Sequence, residues 1–251
     1  MSDGLGLALA TTLPTVFTGI VPWTPSAIST AVWLDAADAG TITDVAGDIS
    51  QWDDKSGNGR HATQGAGANQ PDYVTGALNG RNVVDFGGNE WFDIDLDWLA
   101  LDANHTMFCV TLNNNYVNIY GAANGGSGDQ SLHVGFQNSS NFRQNRWGND
   151  TTTAIQRPPF NNGQHNILEL TWPVGGQKRA WQNGVISPFG GGPNASVLSA
   201  QLGGGRIGNV VGQGIYDGQI AEFILINSAV DAETQENMEN YLSNKWGIAL
   251  S

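Results

Sequence analysis

The sequence predicts an all-β protein with many tight turns, closed by a single C-terminal helix. Three observations carry this. Glycine makes up 34 of 251 residues, and with asparagine it supplies the positive φ angles that hairpins need. Several short segments alternate apolar and polar residues with a period of two. Only one stretch, near the C terminus, combines helical periodicity with caps at both ends. The length suits one large β domain or two small ones, and either buries a sizeable core. No linker follows Ser26 and no repeat period divides the chain, so one principal domain is expected over residues 31–251.

The elements follow in order. AVWLDAAD, from Ala31, and TITDVAGDISQW are short apolar segments separated by turn residues. NVVDFGGNEWFDIDLD gives a strand, a Gly-Gly turn and a second strand in which Phe92, Ile94 and Leu96 alternate with Asp93, Asp95 and Asp97. The stretch from Thr106 to Leu112 is nearly continuous in apolar residues, which suits a central strand. It carries Cys109, the only cysteine; no base or motif accompanies it, so a small buried hydrophobe is expected rather than a nucleophile. Residues 113–163 hold short strands with long polar connections. HNILELTW and QKRAWQNGVIS form a pair of hairpin segments, with Asn183-Gly184 supplying a sharp turn. A glycine-rich bend then leads into GQIAEFILIN, apolar on both faces except at Glu222. In DAETQENMENYLSNKWG, Asp231 caps the helix, Glu233 sits at its positive end, and Gly247 suits the C-terminal bend. Met238, Tyr241, Leu242 and Trp246 share one face, which should lie against the sheet.

Charge narrows the partners. Ten lysines and arginines stand against 23 acidic residues, for a net charge of −13, which repels nucleic-acid backbones and anionic membranes. The excess of carboxylates is compatible with bound calcium or simply with solubility. The first 30 residues carry one charge, Asp3, and lack the basic start of an export signal, while Pro14, Gly19 and Pro22 interrupt the apolar run before it could span a membrane. Such a segment is expected to pack against something. Either it folds back as an edge strand, or it is an arm over residues 1–30 whose Leu5, Leu7, Leu9, Leu13, Val16, Phe17 and Trp23 dock onto a neighbouring subunit.

The segments WLDAADAGTI, QWDDKSGNGRHAT, QPDYVTGALNGRNVVDFGGNEWF and YDGQIAEFILINSAVDAETQENMENYLSNKWGI, in that order, resemble the concanavalin A-like, LamG-like jelly-roll modules of bacterial surface proteins and phage structural proteins. The similarity covers roughly residues 31 to 250 and is most specific at its two ends. It implies two antiparallel sheets packed face to face with the closing helix appended. It does not imply one activity, since such sandwiches serve as lectins, adhesion modules, glycanases and scaffold pieces.

Candidate sites then come from the residues. In QWDDKSGNGRHAT there is no P-loop spacing, so a phosphate cradle is excluded. Asp54 and Asn58 offer hard oxygens for calcium, although the EF-hand pattern is missing. The alternative is structural, with Trp52 packed in the sandwich, Asp54 and Asn58 bonded to the loop backbone, and Gly57 and Gly59 in positive-φ conformations. DIDLD resembles the E-x-D-x-E of a family of sandwich glucanases, which would cast Asp93 and Asp97 as a catalytic pair. Both are one methylene short of that pattern, and a solvated acidic face explains the alternation equally. His61, His105, His133 and His165 lack zinc spacing, no G-x-S-x-G occurs, and GGGRIGN lacks the βαβ context of a dinucleotide site. In QNSSNFRQNRWGND, Trp147 offers a flat apolar face, and Asn145, Arg146 and Asn149 offer planar hydrogen-bonding groups, as sugar recognition requires. Tyr116 and Tyr120 are further candidates there. Otherwise Trp147 packs beneath an ordinary polar loop.

The leading expectation is a non-enzymatic virion protein of a bacteriophage, a capsid decoration or tail component. It would be attached to other virion proteins through its arm, form a homo-oligomer or part of a large assembly, and touch host glycans through its jelly roll. The alternatives are a free carbohydrate-binding module and a glycan hydrolase using Asp93 and Asp97.

Overall fold

The computed structural model describes residues 22–99, 104–123, 131–138, 141–145, 151–154, 163–173, 176–188, 204–210 and 214–251. Its strands are β1 (Val32–Asp35), β2 (Ile42–Val45), β3 (Asp48–Trp52), β4 (Ala62–Thr63), β5 (Asp72–Leu78), β6 (Arg81–Gly87), β7 (Phe92–Ile94), β8 (His105–Asn113) and β9 (Asn118–Ala123). They continue as β10 (Ser131–Asn138), β11 (Asn141–Asn145), β12 (Thr151–Ala154), β13 (Asn166–Trp172), β14 (Arg179–Gln182), β15 (Val185–Pro188), β16 (Gly205–Ile207) and β17 (Asp217–Ile226), and the helix α1 (Ala232–Trp246) follows.

Every ladder among the described residues is antiparallel, and the ladders form two layers. In the first, β1 and β6 share one edge of β17, whose other edge pairs β8; β13, β14 and β15 follow. In the second, the order is β2, β3, β4, β7, β16, β9, β10, β11, β12. β5 continues the first layer beyond β6, and a single pairing of its Asp72 with Asp48 of β3 joins the layers at one rim. The main core lies between them, where Phe223 of β17 meets Tyr120 of β9 at 5.3 Å between ring centroids and Trp52 is fully buried. The predicted all-β sandwich with one closing helix is therefore present.

β8 and β17 are apolar on both faces because both faces are covered. Met107, Cys109, Phe223 and Leu225 point into the main core, whereas Phe108, Val110, Ile224 and Ile226 join Met238, Leu242 and Trp246 in a second core beneath α1. The helix caps match the sequence. Asp231 Oδ1 accepts the Thr234 N–H at 2.8 Å, and Gly247, with φ of 68°, ends the last turn.

Glu222 resolves the one polar interruption in β17. It is fully buried, yet its carboxylate accepts from Trp33 Nε1 (2.8 Å), Tyr241 Oη (2.9 Å), Lys245 Nζ (2.8 Å) and Trp246 Nε1 (2.7 Å). Lys245 continues to Asp35 Oδ1 at 2.6 Å, and Lys55 reaches Asp35 Oδ2 at 3.0 Å and Asp38 Oδ2 at 2.7 Å. This chain of charges ties α1, β17, β1 and the loop after β3 together. Nearby, Glu169 of β13 and Glu239 of α1 are also buried. Burial, reinforced by Glu239, raises the Glu169 carboxyl well above the usual range, and burial raises Glu239 as well.

The expected docking arm begins outside the described residues, where Leu5, Leu7, Leu9, Leu13, Val16 and Phe17 lie. Trp23 is described, and it packs edge-on against Tyr241 of α1 at 6.3 Å. With Ile28 it lines the second core, so this part of the expected arm belongs to the body.

Candidate functional site

The motif at 51–63 forms a clamp. Asp54 Oδ1 accepts from the backbone N–H groups of Trp33 and Ser56, both at 2.9 Å, and Oδ2 from Ser56 Oγ at 2.7 Å and Arg60 N–H at 3.0 Å. Asn58 Nδ2 donates to the carbonyls of Thr30 (2.9 Å) and Ala31 (3.1 Å), and Gly57 and Gly59 take φ values of 85° and 70°. The calcium reading of Asp54 and Asn58 is therefore corrected. A carboxylate ringed by four hydrogen donors has no bare oxygen to offer a cation, and the loop holds the edge of β1 instead. Among the described residues no three His, Cys, Asp or Glu side chains are grouped to hold a metal ion.

The acidic stretch 93–97 does not make a catalytic pair. Phe92, Ile94 and Leu96 are buried and Asp93, Asp95 and Asp97 exposed, as the alternation predicts. The paired strand, however, ends at Ile94, and Asp97 opens a short 3-10 turn in which its N–H bonds to Asp95 Oδ1. Asp93 instead meets Arg206 Nε at 2.9 Å, and Asp95 lies 3.7 Å from Arg60 Nε. Asp93 and Asp95 each have their own cation, and Asp97 stands on the turn beyond the ladder.

These pairs lie on the outer face of the second sheet, where the strand register builds a continuous row. Gln51, Thr63, Asp93, Arg206, Gly121, His133 and Asn145 stand opposite one another across β3, β4, β7, β16, β9, β10 and β11. From Thr63 to His133 their neighbours along each strand point into the core, so this part of the row faces outward. One end is open: the Asp93 side chain is 57% exposed and that of Arg206 26%. The Arg206 guanidinium lies 4.9 Å from the ring centroid of the half-buried Trp91, and Arg60 lies 5.4 Å from that of Trp98. The other end is closed. Val210 lies over Gly121, where a Cβ would stand 2.9 Å from Val210 Cγ2. His133 is 2% exposed, and burial together with the Arg143 charge lowers its pKa to about 4. Gly135 makes a similar close approach, letting Arg143 Nε reach Asn118 Oδ1 at 3.2 Å.

Of the predicted sugar-binding residues, Asn145 falls at the far end of this row, while Arg146, Trp147 and Asn149 lie outside the described residues. Tyr120 is excluded, since it is fully buried against Phe223, and Tyr116 packs partly against the main core. Arg206 and Trp91 were not singled out from the sequence. No local signal marks them, because Arg206 meets Asp93 across 113 residues of chain. Chemically, the open end joins an aromatic ring to a partly exposed guanidinium and a largely exposed carboxylate. That set can donate to and accept from the hydroxyls of one ligand.

No protein-family model matches the chain, and no curated protein does. Solved structures match in fold. With a TM-score of 0.59 and 13% identity, the chain superposes on domain 4 of AbnA, a GH43 extracellular arabinanase from Geobacillus stearothermophilus, in complex with arabinotriose, covering 81% of this chain and 94% of that one. A GH54 α-L-arabinofuranosidase soaked with 4-nitrophenyl α-L-arabinofuranoside gives a TM-score of 0.59 at 15% identity, over 79% of this chain and 51% of that one. A Trypanosoma rangeli sialidase in complex with 2,3-difluorosialic acid gives 0.53 at 14%, over 89% and 34%. This chain thus spans nearly all of the arabinanase domain but only about half of the arabinofuranosidase and a third of the sialidase. The expectation that an enzyme is excluded is corrected by these neighbours, because glycoside hydrolases are among the proteins that carry this β-sandwich. None of the three is a virion protein. What they share with this chain is the sandwich fold.

Proposed function

We propose that this chain is a carbohydrate-recognising β-sandwich domain, and that the open end of the second sheet, around Arg206, Asp93 and Trp91, receives the saccharide. The observation that carries the reading is the solvent-facing Arg206–Asp93 pair set beside an indole on a rigid sheet. Sugars present hydroxyls that both donate and accept, together with flat C–H faces, and this group answers both needs. A nearly domain-for-domain likeness to an arabinanase domain solved with arabinotriose supports the choice of ligand class. A sugar contact by Asn145, Arg146, Trp147 and Asn149 is a further proposal, which Trp147→Ala tests on the same ligands.

A printed glycan array tests this. Arg206→Ala and Asp93→Ala are expected to weaken the leading signals at least tenfold with little change in melting temperature, and Trp147→Ala to weaken them further. Unchanged signals in both sheet variants would sink the assignment. Reducing-end release from the same glycans, followed in parallel, reads out processing, since glycoside hydrolases share the fold. Attachment to a phage particle through the apolar leader is a separate proposal; it rests on the leader and the family resemblance, and glycan recognition does not depend on it.

A further inference from the structure

A groove on the helix side of the sandwich has a makeup that the fold itself does not require. It holds about 450 Å³ between Trp23 and the exposed flank of α1, and Tyr241, Asn237, Asn240, Asn244 and Lys245 also line it. We propose that this groove is a second saccharide site, selective for neutral sugars. The ligand class rests on the carbohydrate-binding reading, but the site shares no residue with the Arg206 face.

The volume falls in the range of small-ligand sites. One wall is aromatic and rigid, because the half-buried Trp23 ring is fixed edge-on against Tyr241 at an interplanar angle of 68°. The opposite wall carries three carboxamides spaced i, i+3 and i+7, which places them on one helical face. Each carboxamide both donates and accepts, the pairing that a hydroxyl seeks. The choice of residue is costly for the helix. Asparagine is a poor helix former in an interior turn, and alanine, lysine or glutamate would hold α1 more firmly at these exposed positions. Departures from local preference concentrate where a protein does something other than fold.

The charge on the groove is already spent. Lys245 Nζ is bonded to Asp35, Glu222 and Tyr241, and Tyr241 Oη to Glu222, so the cation and the phenol are turned into the protein. Among the described residues, the rest of the lining is uncharged: an indole, three neutral amides, Thr24 and Pro22. This differs from the other face, where Arg206 and Asp93 present charge, and it is why an uncharged saccharide is expected.

The test is the same glycan array, read with full-length wild type, the Asn240→Ala/Asn244→Ala double variant, Trp23→Ala and Arg206→Ala. The double variant replaces weak helix formers with the strongest one and so keeps α1 folded. It is expected to reduce signals for neutral glycans at least tenfold while leaving Arg206-dependent signals intact, and Trp23→Ala should act in the same direction. Arg206→Ala should show the converse pattern. Neutral-glycan signals that persist in the double variant, or an array on which wild type binds no neutral glycan, would overturn the second site. Either result leaves the Arg206 face standing if its own signals fall in Arg206→Ala. Loss confined to the groove variants would instead remove the sheet face and keep the groove.

Discussion

Two charged clusters in this protein use the same chemistry to opposite ends. Beneath α1, Lys245 joins Asp35 and Glu222, whose side chains are 6% and 0% exposed, and the spare oxygens of Glu222 are taken by two indoles and a phenol. On the outer face of the second sheet, Arg206 and Asp93 pair at a similar distance but keep much of their surface in water. A buried cluster has to be complete, since every unfilled lone pair carries a desolvation cost. The exposed pair is nearly neutral for stability and can change partners. Completeness marks architecture here, and openness marks a place for a ligand.

The sharpest way to break this contrast is to remove one member of each cluster. Glu222→Ala leaves two buried indole N–H groups and the Tyr241 hydroxyl without their acceptor and Lys245 with Asp35 as its one remaining carboxylate, and chemical denaturation should show a loss of about 3–5 kcal/mol. Arg206→Ala lies at the other extreme, where a change within about 1 kcal/mol is expected alongside the loss of glycan signal. A Glu222→Ala protein as stable as wild type would show that the helix does not depend on the cluster.

Asp54 should fall between these limits. Asp54→Ala leaves the N–H groups of Trp33, Ser56 and Arg60 without their acceptor, so a loss of about 1–3 kcal/mol is expected in denaturant titration. Calcium should move the melting temperature of neither protein. A calcium-dependent rise in wild type alone would restore the metal reading.

The smallest effect has a distinctive pH signature. Burial, reinforced by Glu239, raises the Glu169 carboxyl well above its ordinary range, so the folded state binds more protons than the unfolded state once the pH exceeds the ordinary glutamate value of about 4.3. Stability from this group is present below that value and is lost as pH rises through the raised folded pKa. Glu169→Gln should therefore gain on the order of 1 kcal/mol at neutral pH and flatten the slope. His133 works in the reverse direction. Its folded pKa of about 4 lies below the unfolded 6.5, so stability falls as pH drops from about 6.5 to about 4. Melting temperatures of wild type and Glu169→Gln across this range separate the two, since the variant should keep the acid-side loss. A Glu169→Gln profile parallel to wild type at neutral pH would remove Glu169 from the account.

Much of the fold was legible because its signals are local. The period-two alternation at 92–97 appears as buried and exposed side chains in turn, Asn183-Gly184 supplies a hairpin turn with Asn183 at φ of 49° and Gly184 at 80°, and the helix is capped by the predicted Asp231 and Gly247. The nearly continuous apolar run of β8 indicated a central strand, and Glu222 stood out as the one interruption of the two apolar faces of β17. The site was hardly legible. Tyr120 looked like a loop aromatic and proved to be core, and DIDLD admitted both a carboxylate pair and a solvated acidic face until the ladder ended at Ile94, short of the turn that Asp97 opens.

By itself the sequence determined the fold class, the helix caps, the turns and the net negative charge, since each depends on residues close in the chain or on total composition. Only the tertiary structure decided that Asp54 is an internal acceptor rather than a metal ligand, that Glu222 is a hub, and that Arg206 and Asp93 meet across 113 residues on an open sheet. The reason is physical. Whether a charged group builds the protein or faces a ligand depends on which distant groups fill its hydrogen bonds and how much water remains beside it, and both are fixed by packing rather than by neighbours in sequence.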